Sequence, residues 1–188
     1  MAFENLLNRL KLLQVVVGNP ETQKRVSNAA AFTVLAQYKR RIFTDGLATD
    51  GSAIGQYSSK PFYQNPTKLT GVAVGGVSPL GKNGLDTFKN GRKKKTRYLA
   101  GGYKELRDLT GRQSDFVDLN FSGSTEGSIQ VGTKGDDVVI GFINEKAAEI
   151  MQGNEERFGK EIIAVSQEER EIGVKAARNE LLAIIQEL

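Results

Sequence analysis

Apolar residues recur at helical spacing toward both ends of the chain and at alternate positions through much of its last third. Phe3, Leu6, Leu7, Leu10 and Leu13 share one face of a short helix, an amphipathic N-terminal arm over 1–18. Asn19-Pro20-Glu21 then has the form of an N-cap, a first-turn proline and a first-turn acid. Nothing breaks a helix from there to about Phe43. Val26, Ala29, Ala30, Thr33, Leu35 and Ala36 form its apolar or small stripe, and Lys39-Arg40-Arg41 at its C-terminal turn complement the helix dipole. Near the other end, Ser166 and Glu169 have the spacing of a capping box. They open a closing helix with Ala177, Leu181, Ile184, Ile185 and Leu188 on one stripe.

Period-two patterning follows Ser114. Val117, Leu119 and Phe121 point one way while Asp118 and Asn120 point the other; Ile129 with Val131, and Val138, Ile140 and Phe142, repeat the alternation. Turns at Ser122-Gly123-Ser124 and Lys134-Gly135-Asp136 make this a three-stranded antiparallel meander with one buried face. Asn144 caps a helix from Glu145 to about Gln152, and Ile162 to Val165 fits a fourth strand. A short helix is expected over Gly102–Thr110, ended by Gly111. Residues 45–97 have no sustained period. Asp45-Gly46, Asp50-Gly51 and Asn83-Gly84 are turn pairs there, and Lys68 to Val77 has the makings of a short strand. The expected fold is therefore α+β in a single domain over 1–188: a small antiparallel β-meander sheet packed by a long N-terminal and a C-terminal helix, with a long Gly-rich basic loop at 45–97. A stretch so irregular is usually functional or orders on a partner.

Composition narrows the chemistry. The 188 residues include no Cys, no His and no Trp. A thiol nucleophile, a Ser-His-Asp triad, a Cys/His zinc site and an imidazole switch are excluded. Carboxylate, Lys and carboxylate-bound Mg²⁺ chemistry remain. A chain this size buries roughly 70% of its unfolded surface and needs no disulfide. No apolar run reaches the ~18 residues of a membrane span, and the first residues lack the pattern of a signal peptide. The expectation is a soluble, non-membrane, non-enzymatic protein. Its net charge of +4 conceals an asymmetry: Met1–Gln113 has 19 Lys/Arg against 7 Asp/Glu, and Ser114–Leu188 has 7 against 15. Either the molecule is electrostatically two-ended, suiting nucleic acid or head-to-tail self-association, or folding interleaves the halves.

Candidate chemistry is sparse. Gly76-Val77-Ser78-Pro79-Leu80-Gly81-Lys82-Asn83 approaches a phosphate-binding loop, but Asn83 replaces the Mg²⁺-binding hydroxyl and Asn83-Gly84 starts a turn. Asp45, Asp50 and Ser52 lack the alternation and closing Glu of a Ca²⁺ loop. No catalytic, cofactor or metal residue is assigned. The best binding feature is the run Lys89, Arg92, Lys93, Lys94, Lys95 and Arg97, beside Tyr98 and Tyr103. It would make salt-sensitive, sequence-blind phosphate contacts with DNA or RNA, dock on an acidic protein surface, or stay solvated.

Three stretches together carry a resemblance: Arg41-Ile42-Phe43-Thr44-Asp45-Gly46 leading to Asp50-Gly51-Ser52-Ala53-Ile54-Gly55-Gln56-Tyr57-Ser58; Tyr98-Leu99-Ala100-Gly101-Gly102-Tyr103-Lys104-Glu105-Leu106-Arg107; and Asp118-Leu119-Asn120-Phe121-Ser122-Gly123. Their order resembles tailed-phage virion morphogenesis proteins of the tail-completion (head-tail neck) family. The likeness runs from about Arg40 to Glu169, through Gly141–Ala148 and Glu155–Gly159; the first twenty residues and Gly71–Gly91 fall outside it, and Ser122-Gly123-Ser124 stands where Thr-Gly-Asp is more usual. The motif positions are Asp50, Gly51, Ile54, Gly55, Tyr57, Gly102, Tyr103, Leu106, Arg107, Asp118, Asn120 and Gly123. The resemblance implies a structural virion protein without catalysis or cofactor, assembled in the host bacterial cytoplasm. It also implies a homo-oligomeric ring that contacts portal, other neck or tail proteins, with the basic loop facing packaged DNA or protein. The alternative is a small basic nucleic-acid-binding protein that uses Lys89 to Arg97.

Overall fold

A computed structural model describes residues 11–65, 77–120, 122–135 and 137–187. Residues 11–18 of the N-terminal arm are helical; the rest of the arm, and most of the strand expected at Lys68–Val77, lie outside the described residues. Helix α1 spans Pro20–Lys39, and the Asn19 side chain accepts from the Glu21 backbone N–H at 2.8 Å, as the cap residues predict. It runs into a π-helical turn, Arg40–Thr44, closed by the Asp45 N–H donating to the Arg40 carbonyl at 2.9 Å, in which Arg41, Ile42 and Phe43 are all buried. Strand β1 (Phe62–Gln64) pairs antiparallel with β2 (Arg97–Leu99), which leads to α2 (Gly102–Leu109). The short α3 (Ser124–Gly127) precedes β3 (Ile129–Lys134) and β4 (Asp137–Phe142), then α4 (Glu145–Phe158) and α5 (Gln167–Gln186).

The fold is α+β, with two separate two-stranded antiparallel sheets. β3 and β4 pair from Ile129↔Phe142 to Lys134↔Asp137 and lie against α1. The closing helix α5 packs chiefly along α1 rather than on the sheet. Gly173 of α5 meets Val34 so closely that an added Cβ would sit 2.6 Å from a Val34 methyl. Arg25 of α1 bonds Glu180 at 2.5 Å and Glu187 at 3.1 Å. Charges of the basic and acidic halves thus interleave along the helix pair. Tyr38, Ile42, Phe43, Ala48, Ile54, Val117, Ile129, Met151 and Ile162 form the core.

Two expected strands are absent among the described residues, so the three-stranded meander is corrected to a hairpin plus an irregular segment in which Leu119 takes a left-handed φ of 49°. Val117 is in the core and Leu119 packs partly buried against it, but Asp118 between them is buried too: its N–H donates to the Tyr57 hydroxyl at 3.2 Å, and the Asn120 carbonyl accepts from Arg107 at 2.8 Å. Side chains there take the place of a strand partner. Ile162 to Val165 is likewise no strand: the Ile162 and Ile163 N–H groups donate to the Glu155 carboxylate at 2.6 and 2.8 Å. The Ile162 and Ala164 carbonyls accept from Arg41 at 3.2 and 2.9 Å. Helix α4 outruns its expected end at Gln152 and stops at Gly159, whose φ of 61° is the left-handed conformation of a helix terminator. The β1–β2 pair was not foreseen.

Candidate functional site

Arg107 is 1% exposed and Asp118 7%, and they form the centre of the arrangement. One guanidinium nitrogen reaches both Asp118 carboxylate oxygens at 2.9 Å. The other nitrogens donate to the Asn120 carbonyl at 2.8 Å and, from Nε, to the Gln113 carbonyl. The Tyr57 hydroxyl donates to Asp118 Oδ1 at 2.7 Å, and the Tyr57 ring lies 4.4 Å beneath the guanidinium carbon. A buried ion pair is stable only when its remaining donors and lone pairs are used, and here they are. Burial, followed by the bond to Asp118, pushes the Tyr57 hydroxyl well above its ordinary range. Tyr103 stands 5.4 Å from Tyr57, ring centre to ring centre, in a tilted pair, and burial raises its hydroxyl too.

Asn120 extends this network. Its backbone N–H donates to Asp118 at 3.0 Å, its amide donates to Glu126 at 3.1 Å, and its side-chain oxygen accepts from the Gly123 N–H at 3.1 Å. Gly123 has φ 76° and starts α3. Gly102 has φ 69°, and an added Cβ would meet the Ser58 carbonyl oxygen at 2.5 Å, so the 58–60 backbone can lie directly on the start of α2. The Tyr103 N–H donates to that same Ser58 carbonyl at 2.8 Å. Leu106 is buried on the inner side of α2. Tyr57, Tyr103, Arg107, Asn120, Gly123 and Phe158 line a pocket of about 370 Å³.

Asp50, Gly51, Ile54 and Gly55 form the neighbouring loop. The Asp50 carboxylate accepts from the Ser52 hydroxyl at 2.6 Å and the Ser52 N–H at 2.9 Å, which hold it below the usual carboxylate range, the hydroxyl foremost. Gly51 takes φ 79° in the turn, which the Leu47↔Ala53 bridge closes. Ile54 is a core residue. Gly55 accepts from the Val117 N–H at 3.0 Å, and an added Cβ would press on the Phe158 ring at 2.9 Å. This loop joins the Arg107 cluster through the Val117–Gly55 backbone bond, and Asp50 lines a separate pocket with Arg40 and Glu168.

The basic run is a tight turn. Thr87 and Lys93 form an antiparallel bridge, the Phe88 N–H donates to the Arg92 carbonyl and the Gly91 N–H to Phe88, both at 2.9 Å. Lys89, Arg92, Lys93 and Lys95 are exposed. Lys94 is not: it folds back over Gly81, donates to the Leu85 carbonyl at 2.8 Å and lies 5.6 Å from the Phe88 ring centre. Arg97 sits in β2 with a buried Nε. The six cations therefore divide, four toward solvent and two inward. Lys82 and Asn83 lie in a turn, not at a helix start, and Lys82 stands 5.7 Å from the Tyr98 ring centre. Among the described residues no group of three or more carboxylates is placed to hold a metal ion, and no helix is long and apolar enough to cross a membrane.

One cluster was missed from sequence. Arg41 (8% exposed) donates to Glu169 at 2.7 Å and to the 162 and 164 carbonyls, while Glu169 also closes the capping box of α5 onto the Ser166 N–H at 2.7 Å. The capping spacing marked Glu169 as useful, but nothing local marked its partner 128 residues away. Compared with protein-family models, curated proteins and solved structures, the chain matches none.

Proposed function

We propose that the chain is a structural virion protein of the tailed-phage neck, a non-enzymatic tail-completion adaptor that forms a ring and joins portal or connector proteins to the tail. One observation carries this reading: motif residues drawn from three separate stretches, Tyr57, Tyr103, Arg107, Asp118, Asn120 and Gly123, meet in a single network. Its groups are spent on one another and on the backbone of two loops, which is what a loop-fixing scaffold requires. A reacting site would keep a donor, acceptor or nucleophile for its substrate. On this reading the protein is made in the bacterial cytoplasm and ends in the virion.

Quantitative mass spectrometry of intact, density-purified phage particles tests the proposal. A fixed low copy number consistent with one cyclic ring is expected. Presence in the lysate with absence from particles would overturn it. A second reading, a nucleic-acid binder, draws on the exposure of Lys89, Arg92, Lys93 and Lys95 at one turn. It requires DNA retention that falls steeply between low and moderate salt.

A further inference from the structure

The turn from Leu85 to Lys95 and the outer face of α4 have opposite chemistry, and neither finds an opposite charge among the described residues. Leu85 and Phe88 are 59% and 56% exposed, side by side with Lys89, Arg92, Lys93 and Lys95. Among the described residues, no carboxylate pairs with any of these four cations. On α4, Glu145, Glu149, Gln152 and Glu156 are all exposed and fall within one narrow arc at helical spacing, directly opposite buried Met151 and Ala147. No described cation pairs with the three glutamates. Ile143, 69% exposed, lies just before the N-terminus of the row, whereas Ile150, 46% exposed, stands about 100° round the helix from Glu149 and lines the pocket of the Arg107 cluster, with the cations Lys146 and Arg157 between it and the row.

We infer that the basic turn of one copy docks on the acidic outer face of α4 of a second copy, in a head-to-tail contact. The turn offers four cations with Leu85 and Phe88 exposed among them, and the α4 row offers three carboxylates with Ile143 at its N-terminal end, so opposite charges select the partner while the apolar residues are covered. The folded-back Lys94 supports a protein partner over a nucleic acid. It gives one cation to shaping the turn around Phe88 and Leu85, and that apolar surface is left uncovered by phosphate contacts alone. Because the two surfaces are different parts of the molecule, the contact is heterologous and closes into a ring when the rotation per copy permits. The inference rests on the ring-forming reading above and supplies its contact surfaces.

The test is sedimentation of the full chain against ionic strength, with two charge-reversed variants. One carries Lys89→Glu, Arg92→Glu, Lys93→Glu and Lys95→Glu; the other carries Glu145→Lys, Glu149→Lys and Glu156→Lys. All seven sites are exposed, so circular dichroism should match the parent. The parent is expected to self-associate at low salt and to weaken on the order of tenfold or more at moderate salt. Each variant alone is expected to stay monomeric where the parent associates. A one-to-one mixture should associate again, because the acidic turn of the first meets the basic α4 of the second and the unaltered surfaces pair as in the parent. The inference fails if the parent is monomeric throughout, if either variant associates as the parent does, or if the mixture stays monomeric. It also fails if reversal of the turn abolishes retention on duplex DNA and leaves self-association intact. A failed mixture with the protein present in particles rejects this contact but not the virion role. Rescue in the mixture with the protein absent from particles does the reverse.

Discussion

The Arg107 cluster and the basic turn use the same kind of side chain in opposite ways. Arg107 has its nitrogens bonded to Asp118, Asn120 and Gln113 and its face covered by Tyr57. Lys89, Arg92, Lys93 and Lys95 stand in solvent at a turn held by backbone bonds. A buried guanidinium is tolerable only with full hydrogen bonding, so it serves architecture; a solvated cation keeps its field for a partner. Position in a positive stretch therefore says little about role. The number of donors already occupied says much more.

The sharpest way to break this contrast is to remove the buried partner. Arg107→Ala leaves the buried Asp118 carboxylate bonded only to the Tyr57 hydroxyl and the Asn120 N–H, and should destabilise the fold by about 3–5 kcal/mol. Urea denaturation measures it. Should the variant fail to fold at all, Arg107→Met with Asp118→Leu separates the causes, because replacing both members by apolar side chains removes the stranded charge and recovers much of the loss. A cost below about 1 kcal/mol for Arg107→Ala would mean that the cluster is no anchor.

The next effect is alkaline. Burial raises the hydroxyls of Tyr38 and Tyr57 above the ordinary value of 10.0, so between that value and the raised one the unfolded chain holds fewer protons than the folded one. Stability is then fully present below pH 10.0 and falls as pH rises past it, by up to about 1.4 kcal/mol per pH unit for each tyrosine. Tyr38→Phe with Tyr57→Phe should flatten that fall in denaturant midpoints measured across the alkaline range. An unchanged slope in the double variant would show that these hydroxyls are not the source.

Local chemistry made the helices legible. Asn19-Pro20 and Ser166–Glu169 encode their own caps, Gly111 ends α2 with φ 68° as expected, and α5 buries Ile184 of its stripe and half-buries Ala177, Leu181 and Ile185, Leu188 lying outside the described residues. Alternation at 117–120 was misleading as pairing, because buried Asp118 breaks it, Leu119 takes φ 49°, and side chains of Tyr57 and Arg107 satisfy backbone groups that a neighbouring strand would have bonded. The same holds at 162–165, where Arg41 and Glu155 do that work. Such partners are invisible to periodicity, since they depend on tertiary placement. Strands β1 and β2 are three residues each, too short for a period. Of the candidate site, the motif residues were legible as positions and the network joining Tyr57, Arg107 and Asp118 was not.

The smallest expected effect sharpens the contrast from the other side. Lys89→Ala, Arg92→Ala, Lys93→Ala and Lys95→Ala together remove four charges from a surface where no described carboxylate pairs with them. Surface substitutions outside caps, networks and special backbone usually change stability by less than about 0.5 kcal/mol each, and mutual repulsion among the four is relieved at the same time. The quadruple variant should therefore unfold at nearly the parent denaturant midpoint, while its self-association at low salt is lost. Lys94→Ala is the internal control: its amine caps the Leu85 carbonyl at 2.8 Å and covers Phe88, so this one substitution should cost about 0.5–1.5 kcal/mol, against almost nothing for its four exposed neighbours. A quadruple variant that unfolds well before the parent would place these cations with Arg107, as parts of the scaffold, and would remove the distinction on which the docking surface depends.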